Sequence, residues 1–223
     1  LKNYRNMPQL KKNYGNPCKS SWSNNRMNHQ KQLLFASANR HKLEEIRQII
    51  PAAYKLSGLN DYSVHEEIPE PFDTFEANAA AKATYVYKKT GIPCFADDSG
   101  LVVDALDGRP GVLSARYAGE HKSSEENVRK LLSELTGIQD RTARFIAVIA
   151  YQENEKDVLL FKGTIEGTIN YTPAGAGGFG YDPVFIPSGF DQTFAQLSPA
   201  LKNQISHRAK AMKLFLQYLS EQG

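Results

Sequence analysis

Apolar residues in this chain fall into short blocks separated by polar stretches, and the period of the blocks changes along its length. Gln32 to Ala36 (QLLFA) reads as a short buried strand. It runs into the polar segment Ser37-Ala38-Asn39-Arg40-His41-Lys42 and then a helical pattern with Leu43, Ile46, Ile49 and Ile50 on one face. Pro51 ends that helix, because it has no N–H and restricts the residue before it. The next strand is expected within residues 54–64. Glu66 to Phe72 is acidic and proline-punctuated, hence loop. From Thr74 the run FEANAAAKATYVYKK predicts a helix with Ala79, Ala83 and Val86 as its apolar stripe, closed by Gly91 and Pro93.

In the second half, Cys94 to Ala96 predicts a strand. Asp97 and Asp98 follow it, and Leu101 to Val103 forms a second apolar run. Gly108-Arg109-Pro110-Gly111 is a turn. Ser123 and Glu126 make a capping box for a helix carrying Val128, Leu131, Leu132 and Leu135, closed by Gly137. Arg144 to Tyr151 (RFIAVIAY) predicts a strand whose hairpin partner begins at Val158 and extends toward Ile169. A glycine-rich loop leads to a short strand at Val184 to Ile186, ended by Pro187. Ser206 opens a final helix with Ala209, Met212, Leu216 and Leu219 in its apolar positions. Strand–helix units alternating around one hairpin predict an α/β fold with a mixed sheet.

The 223 residues, 41% hydrophobic, suit one sizeable core. The formal charge of +3 belongs to residues 1–26, which carry Lys2, Arg5, Lys11, Lys12, Lys19 and Arg26 and no acid. The remainder has 21 basic against 24 acidic residues. That balance argues against a nucleic-acid-binding body, which needs clustered positive charge. Residues 1–26 have no apolar stretch of a secretory signal and are expected to be a disordered extension, or sequence upstream of a start at Met27, leaving 27–223 as the domain. No run reaches the length of a membrane span, so a soluble protein is expected. Cys18 and Cys94 suggest neither a disulfide scaffold nor a cysteine metal site.

Four segments could carry chemistry. Ser37 to Lys42 lies between a strand and a helix, where backbone N–H groups and Lys42 favour a phosphate. The pair Asp97-Asp98 reads equally as a magnesium site beside a polyphosphate, with a second acid from Glu66, Glu67 or Glu70, or as the cap of an Asp-Ser-Gly turn. In AGAGGFGYDP (174–183), the glycines allow close backbone approach. Phe179 and Tyr181 offer aromatic faces for a base, and Asp182 a carboxylate. Lys202, His207 and Arg208 gather donors near the start of the last helix, a placement that asks for an anion or carbonyl to face; Arg116 is another candidate.

SANRHK (37–42), FADDSGLVVDALDGRPGVLSARYAG (95–119), AGAGGFGYDPVF (174–185) and KNQISHRAKA (202–211) closely resemble the non-canonical purine nucleoside triphosphate pyrophosphatases, the inosine triphosphate pyrophosphatase-like or dITP/XTP pyrophosphatase family. The likeness runs from about Leu33 to Leu219. It implies an elongated, two-lobed α/β fold with a cleft between the lobes, and a cytoplasmic homodimer. It also implies Mg2+-dependent hydrolysis of ITP, dITP and XTP to the monophosphate and pyrophosphate. The substrate is a small nucleotide, with neither nucleic acid nor membrane as partner.

By the same resemblance Ser37, Ala38, Asn39, Arg40, His41 and Lys42 form the first phosphate-binding motif, and Lys82 faces the phosphates. Glu70 and Asp98 hold the metal. Asp98 is the proton acceptor, Asp97 supports it near metal and water, and Lys42 assists. Ser99 touches substrate. Phe179, Gly180, Tyr181 and Asp182 recognise the base, and Lys202, His207 and Arg208 complete the pocket. Two positions depart from the family pattern: Ala77 stands where a glutamate is common, with Glu76 one step earlier, and Ala38 where glycine is frequent. The alternatives are a Maf-like pyrophosphatase acting on other nucleotides and a nucleotide-binding protein without catalysis.

Overall fold

Strands Lys31–Phe35 (β1), Tyr54–Gly58 (β2), Cys94–Val103 (β3), Thr142–Gln152 (β4), Val158–Ile169 (β5) and Phe185–Pro187 (β6) form one sheet in the order β2-β1-β3-β4-β5-β6. The computed structural model describes residues 30–222 apart from 63, 65 and 67. The expectations for residues 1–26, Met27 and Glu67 therefore lie outside the described residues. β1 runs parallel to β2 and β3, and every later pairing is antiparallel, so the sheet is mixed as expected.

Five helices cover it: Arg40–Ile49 (α1), Phe75–Thr90 (α2), Ser124–Glu134 (α3), Pro199–Ile205 (α4) and His207–Glu221 (α5). Alternation along the strands sends successive side chains to opposite faces. On one face Leu33, Phe35, Phe95 and Ile149 pack against Ile46 of α1 and Met212 and Phe215 of α5. On the other, Leu34, Cys94, Ala96 and Val148 meet Ala79, Ala83 and Val86 of α2. A third cluster, including Leu101, Leu131, Phe145, Phe185 and Phe194, fills the far end of the sheet under α3 and forms the second lobe.

Two expectations change. The two apolar runs around Asp97-Asp98 are one ten-residue strand, so the acids stand within β3 and cap no turn. Their surroundings supply the partners that buried carboxylates need, which removes the reason to break the strand. Lys202 belongs to α4, a separate helix; Ser206 is both the C-cap of α4 and the N-cap of α5. Pro187 is the last residue of the edge strand β6, which ends there as expected.

Candidate active site

β1 accompanies β3 only through the pairs Leu34–Cys94 and Phe35–Phe95. Beyond that point the chain turns away into α1, and the edge of β3 from Asp97 onward loses its strand neighbour. Buried backbone groups cannot stay unpaired, and side chains take over: Lys82 Nζ donates to the Asp97 carbonyl at 2.7 Å, and Ser114 Oγ accepts from Leu101 N at 2.9 Å. A cleft of about 570 Å³ opens at this edge, between the lobes.

Strand alternation separates the two acids. Asp97 faces the α1/α5 layer, fully buried, its Oδ1 accepting from Lys42 Nζ at 2.7 Å and its Oδ2 from Arg208 Nε at 2.6 Å. Burial alone would raise its pKa; the Arg208 and Lys42 cations overcome this and hold it well below the usual carboxylate range. Asp98 faces α2 and lines the cleft. Its Oδ1 lies 3.6 Å from Lys82 Nζ, and its Oδ2 is buried without a hydrogen-bond partner. Burial pushes its pKa up, only partly opposed by Lys82 and Lys42.

Glu70 reaches the same place from the loop before α2, its Oε1 2.5 Å from Lys82 Nζ and its Oε2 3.7 Å from Arg116. That loop is clamped by Asn78, whose amide exchanges two 3.0 Å hydrogen bonds with the backbone of Phe72. Lys82 keeps its proton: burial opposes the charge, but Asp98 and Glu70 more than compensate. Glu66 pairs with Lys89 and Tyr85 at the rim, and Glu76 pairs with Lys162 of β5 away from the cleft. Ala77 therefore has no stand-in one position earlier.

The segment after β1 is an ordinary helix entry. Asn39 caps α1 by accepting from Lys42 N at 3.2 Å, and Ser37 Oγ accepts from Asn39 N at 3.2 Å. Residue 38 is not among those with a left-handed φ, so alanine is accommodated without backbone strain. Arg40 points away and does not line the cleft.

At the opposite end Phe179 stacks on His41 with centroids 5.3 Å apart, and Lys202 Nζ lies 4.8 Å from its ring centre. Asp182 Oδ2 accepts from Phe179 N at 2.8 Å and Lys202 Nζ at 2.7 Å, fixing the loop. A Cβ at Gly178, where φ is +70°, would lie 2.1 Å from Asp182 Oδ2, so only glycine permits this closure. Tyr181 is only 4% exposed and donates its hydroxyl to the Ser114 carbonyl at 2.9 Å; it is a strut within the second lobe, leaving Phe179 as the stacking face. His207 lies against Phe145 with centroids 4.7 Å apart, its Nδ1 unpartnered and its pKa driven well below the ordinary value by burial and by Arg208.

All four sequence motifs thus converge on one cleft, cations and carboxylates at one end and an aromatic loop at the other. A family model described as the Ham1 family matches residues 33–218. The chain belongs to the Ham1 family. It is similar to a dITP/XTP pyrophosphatase of Porphyromonas gingivalis, 49% identical over 189 residues, covering 84% of this chain and 97% of that protein. A dITP/XTP pyrophosphatase of Flavobacterium johnsoniae is 46% identical over 189 residues, covering 85% and 98%. The solved Ham1 protein of Staphylococcus aureus superposes with a TM-score of 0.80 at 41% identity, covering 86% of this chain and all of that one. Sequence reading missed Asn127, which lines the cleft, and Glu45, which binds the lining residues Lys202 and Arg208. Glu45 sits in a helix pattern that its own letters explain as solvated face, and Asn127, which ties Ala118 N to the Ser114 and Ala115 carbonyls, looks like any polar helix residue.

Proposed function

We propose that this chain hydrolyses dITP, XTP and ITP between the α and β phosphates, releasing the monophosphate and pyrophosphate, with Asp98 as the group that takes the proton from attacking water. The observation that carries this reading is Asp98: a carboxylate that lines the cleft and keeps one buried oxygen without a protein partner, where the other lining acids are paired. Such an atom is costly to retain unless a ligand uses it. The relatives' activity supplies the substrate class.

Magnesium fits this donor set. Asp98 and Glu70 provide hard carboxylate oxygens on one side of the cleft, and an ion that keeps waters and phosphate oxygens needs no further protein ligand. Bound there, it would supply charge neutralisation for the phosphates and a lower pKa for water. Lys42 and Lys82, fixed by their carboxylate partners, offset the charge that develops on the leaving pyrophosphate. Asp97 is held out of the cleft, and its role is to fix Lys42 and Arg208.

At the other end Phe179 stacks the base. Lys202 uses two of its three N–H donors on Glu45 and Asp182, which leaves one for a 6-oxo group. An adenine amine placed there would leave that donor unpaired, at about 1–3 kcal/mol per missed contact. His207, neutral and with a free ring nitrogen, adds a second polar contact. The reading also takes the protein as a cytoplasmic homodimer, which sedimentation would show as a species of twice the chain mass.

A substrate panel of ITP, dITP, XTP, GTP, ATP and dUTP, with magnesium and again with chelator, tests the function. Pyrophosphate release from dITP and XTP well above GTP and ATP, abolished by chelator, is expected. Preference for dUTP overturns the purine assignment, and binding of ITP without pyrophosphate release overturns the enzyme.

A further inference from the structure

One carboxylate bound to the cleft-lining residues Lys202 and Arg208 has no part in the reaction described above. Glu45 lies on α1 one turn after Lys42 and receives two cations at once. Lys202 Nζ donates to its Oε1 at 2.8 Å, and Arg208 Nη1 donates to its Oε2. Each cation has a further acid. Lys202 also donates to Asp182 Oδ2, and Arg208 to Asp97 Oδ2, whose other oxygen accepts from Lys42. Charges therefore alternate without a break: Asp182, Lys202, Glu45, Arg208, Asp97, Lys42. The ladder joins the loop that holds Phe179 to the lysine at the phosphate end.

Its middle members are nearly sealed from water, with Lys202 6%, Arg208 3% and Asp97 0% exposed. In such surroundings a displaced charge cannot be compensated by solvent, so a shift of one rung is resisted by the next. Glu45 is the only rung that joins the two cations among the hydrogen bonds of the described residues. Lys202 and Arg208 stand on different helices, α4 and α5, joined through the shared cap Ser206. The same two cations lie against the ring of Phe179, at 4.8 and 5.7 Å from its centre. A base stacked on Phe179 and bonded to Lys202 therefore bears directly on this junction.

We propose that Glu45 is a positioning residue that couples recognition of the base at Lys202 to the placement of Arg208, Asp97 and Lys42, so that the correct purine raises kcat as well as lowering KM. The inference rests on the pyrophosphatase reading. A wild-type protein that does not turn over dITP defeats that reading; the comparison below concerns how turnover is divided among substrates.

The test measures kcat and KM separately for dITP and dATP, whose 6-amino group cannot accept from Lys202, with wild type, Glu45→Gln and Glu45→Asp. The glutamine keeps the shape but loses the charge, and the aspartate keeps the charge but is too short to span both cations. In wild type the preference for dITP should appear in kcat. In both variants kcat for dITP should fall by about 10- to 100-fold, the worth of a charged hydrogen bond, while kcat for dATP changes by less than about 3-fold on the same scale. The preference that remains should lie in KM. Equal loss of kcat for both substrates would make Glu45 merely structural and overturn the proposal, as would unchanged kinetics. Wild-type discrimination confined to KM overturns it without any variant, so a variant that fails to fold does not protect it.

Discussion

Asp97 and Asp98 are neighbours in sequence and opposites in environment. One is sealed between Lys42 and Arg208, and the other lines the cleft with one buried oxygen unpartnered. Their substitutions should therefore fail differently. Asp98→Asn removes the proposed proton acceptor and leaves the buried Lys82 paired with Glu70. Pyrophosphate release should fall by about 10²- to 10⁴-fold, the usual worth of a general base, with folding intact and dITP affinity largely kept, as read by initial rates and titration calorimetry. Asp97→Asn leaves two buried cations short of a partner and should cost about 3–5 kcal/mol of stability, visible in urea unfolding. Equal stability of the two variants would show that the geometry of β3 does not separate their roles. The letters DD could not make this distinction, because which face each residue takes depends on the strand being continuous through them.

At the scale of elements, the cleft depends on how closely α5 lies on β5. Gly163 is the contact point: a Cβ there would come within 2.1 Å of the His207 carbonyl and 2.5 Å of Ala211 N, both backbone atoms that cannot swing aside. Gly163→Ala should push α5 off the sheet, costing about 1–3 kcal/mol and lowering Tm by about 4–10 °C. It should also reduce kcat, since His207 and Arg208 ride on the displaced turn; a variant with wild-type Tm and kcat would contradict this packing. Most elements were legible beforehand. Ser123 caps α3 and Gly91, at φ +67°, ends α2, as their letters indicate. α4 was not, because a seven-residue helix set against a proline and ending at a second cap has too few turns to show a period.

At the scale of the molecule, the buried charges make stability depend on pH in a defined direction. His207 is buried with its pKa well below 6.5, so the unfolded chain takes up a proton that the folded one refuses; the stability this represents is present above pH 6.5 and lost as pH falls below it. Asp97, with its pKa depressed below 3.8, contributes stability above that value that is lost at still lower pH. The urea midpoint should accordingly drop between about pH 7.5 and 5.5, with a slope of up to about 1.4 kcal/mol per pH unit for one group. His207→Gln should flatten that part of the profile, and an unchanged slope would mean that His207 is protonated in the folded protein. None of the described helices is long and apolar enough to cross a membrane.

The linear order of residues by itself determined the mixed α/β class, most helix ends, and the four segments that carry the chemistry, because periodicity, caps and turn residues act within a few positions of one another. Only the tertiary structure decided what the members of those segments do. The opposite fates of Asp97 and Asp98, the burial of Tyr181 as a strut, the distance of Arg40 from the cleft and the bridging position of Glu45 all arise from contacts across many tens of residues. The pairing of a buried charge is a property of the space around it, and Glu45 meets Lys202 and Arg208 only because α1, α4 and α5 close on one another over the edge of β3.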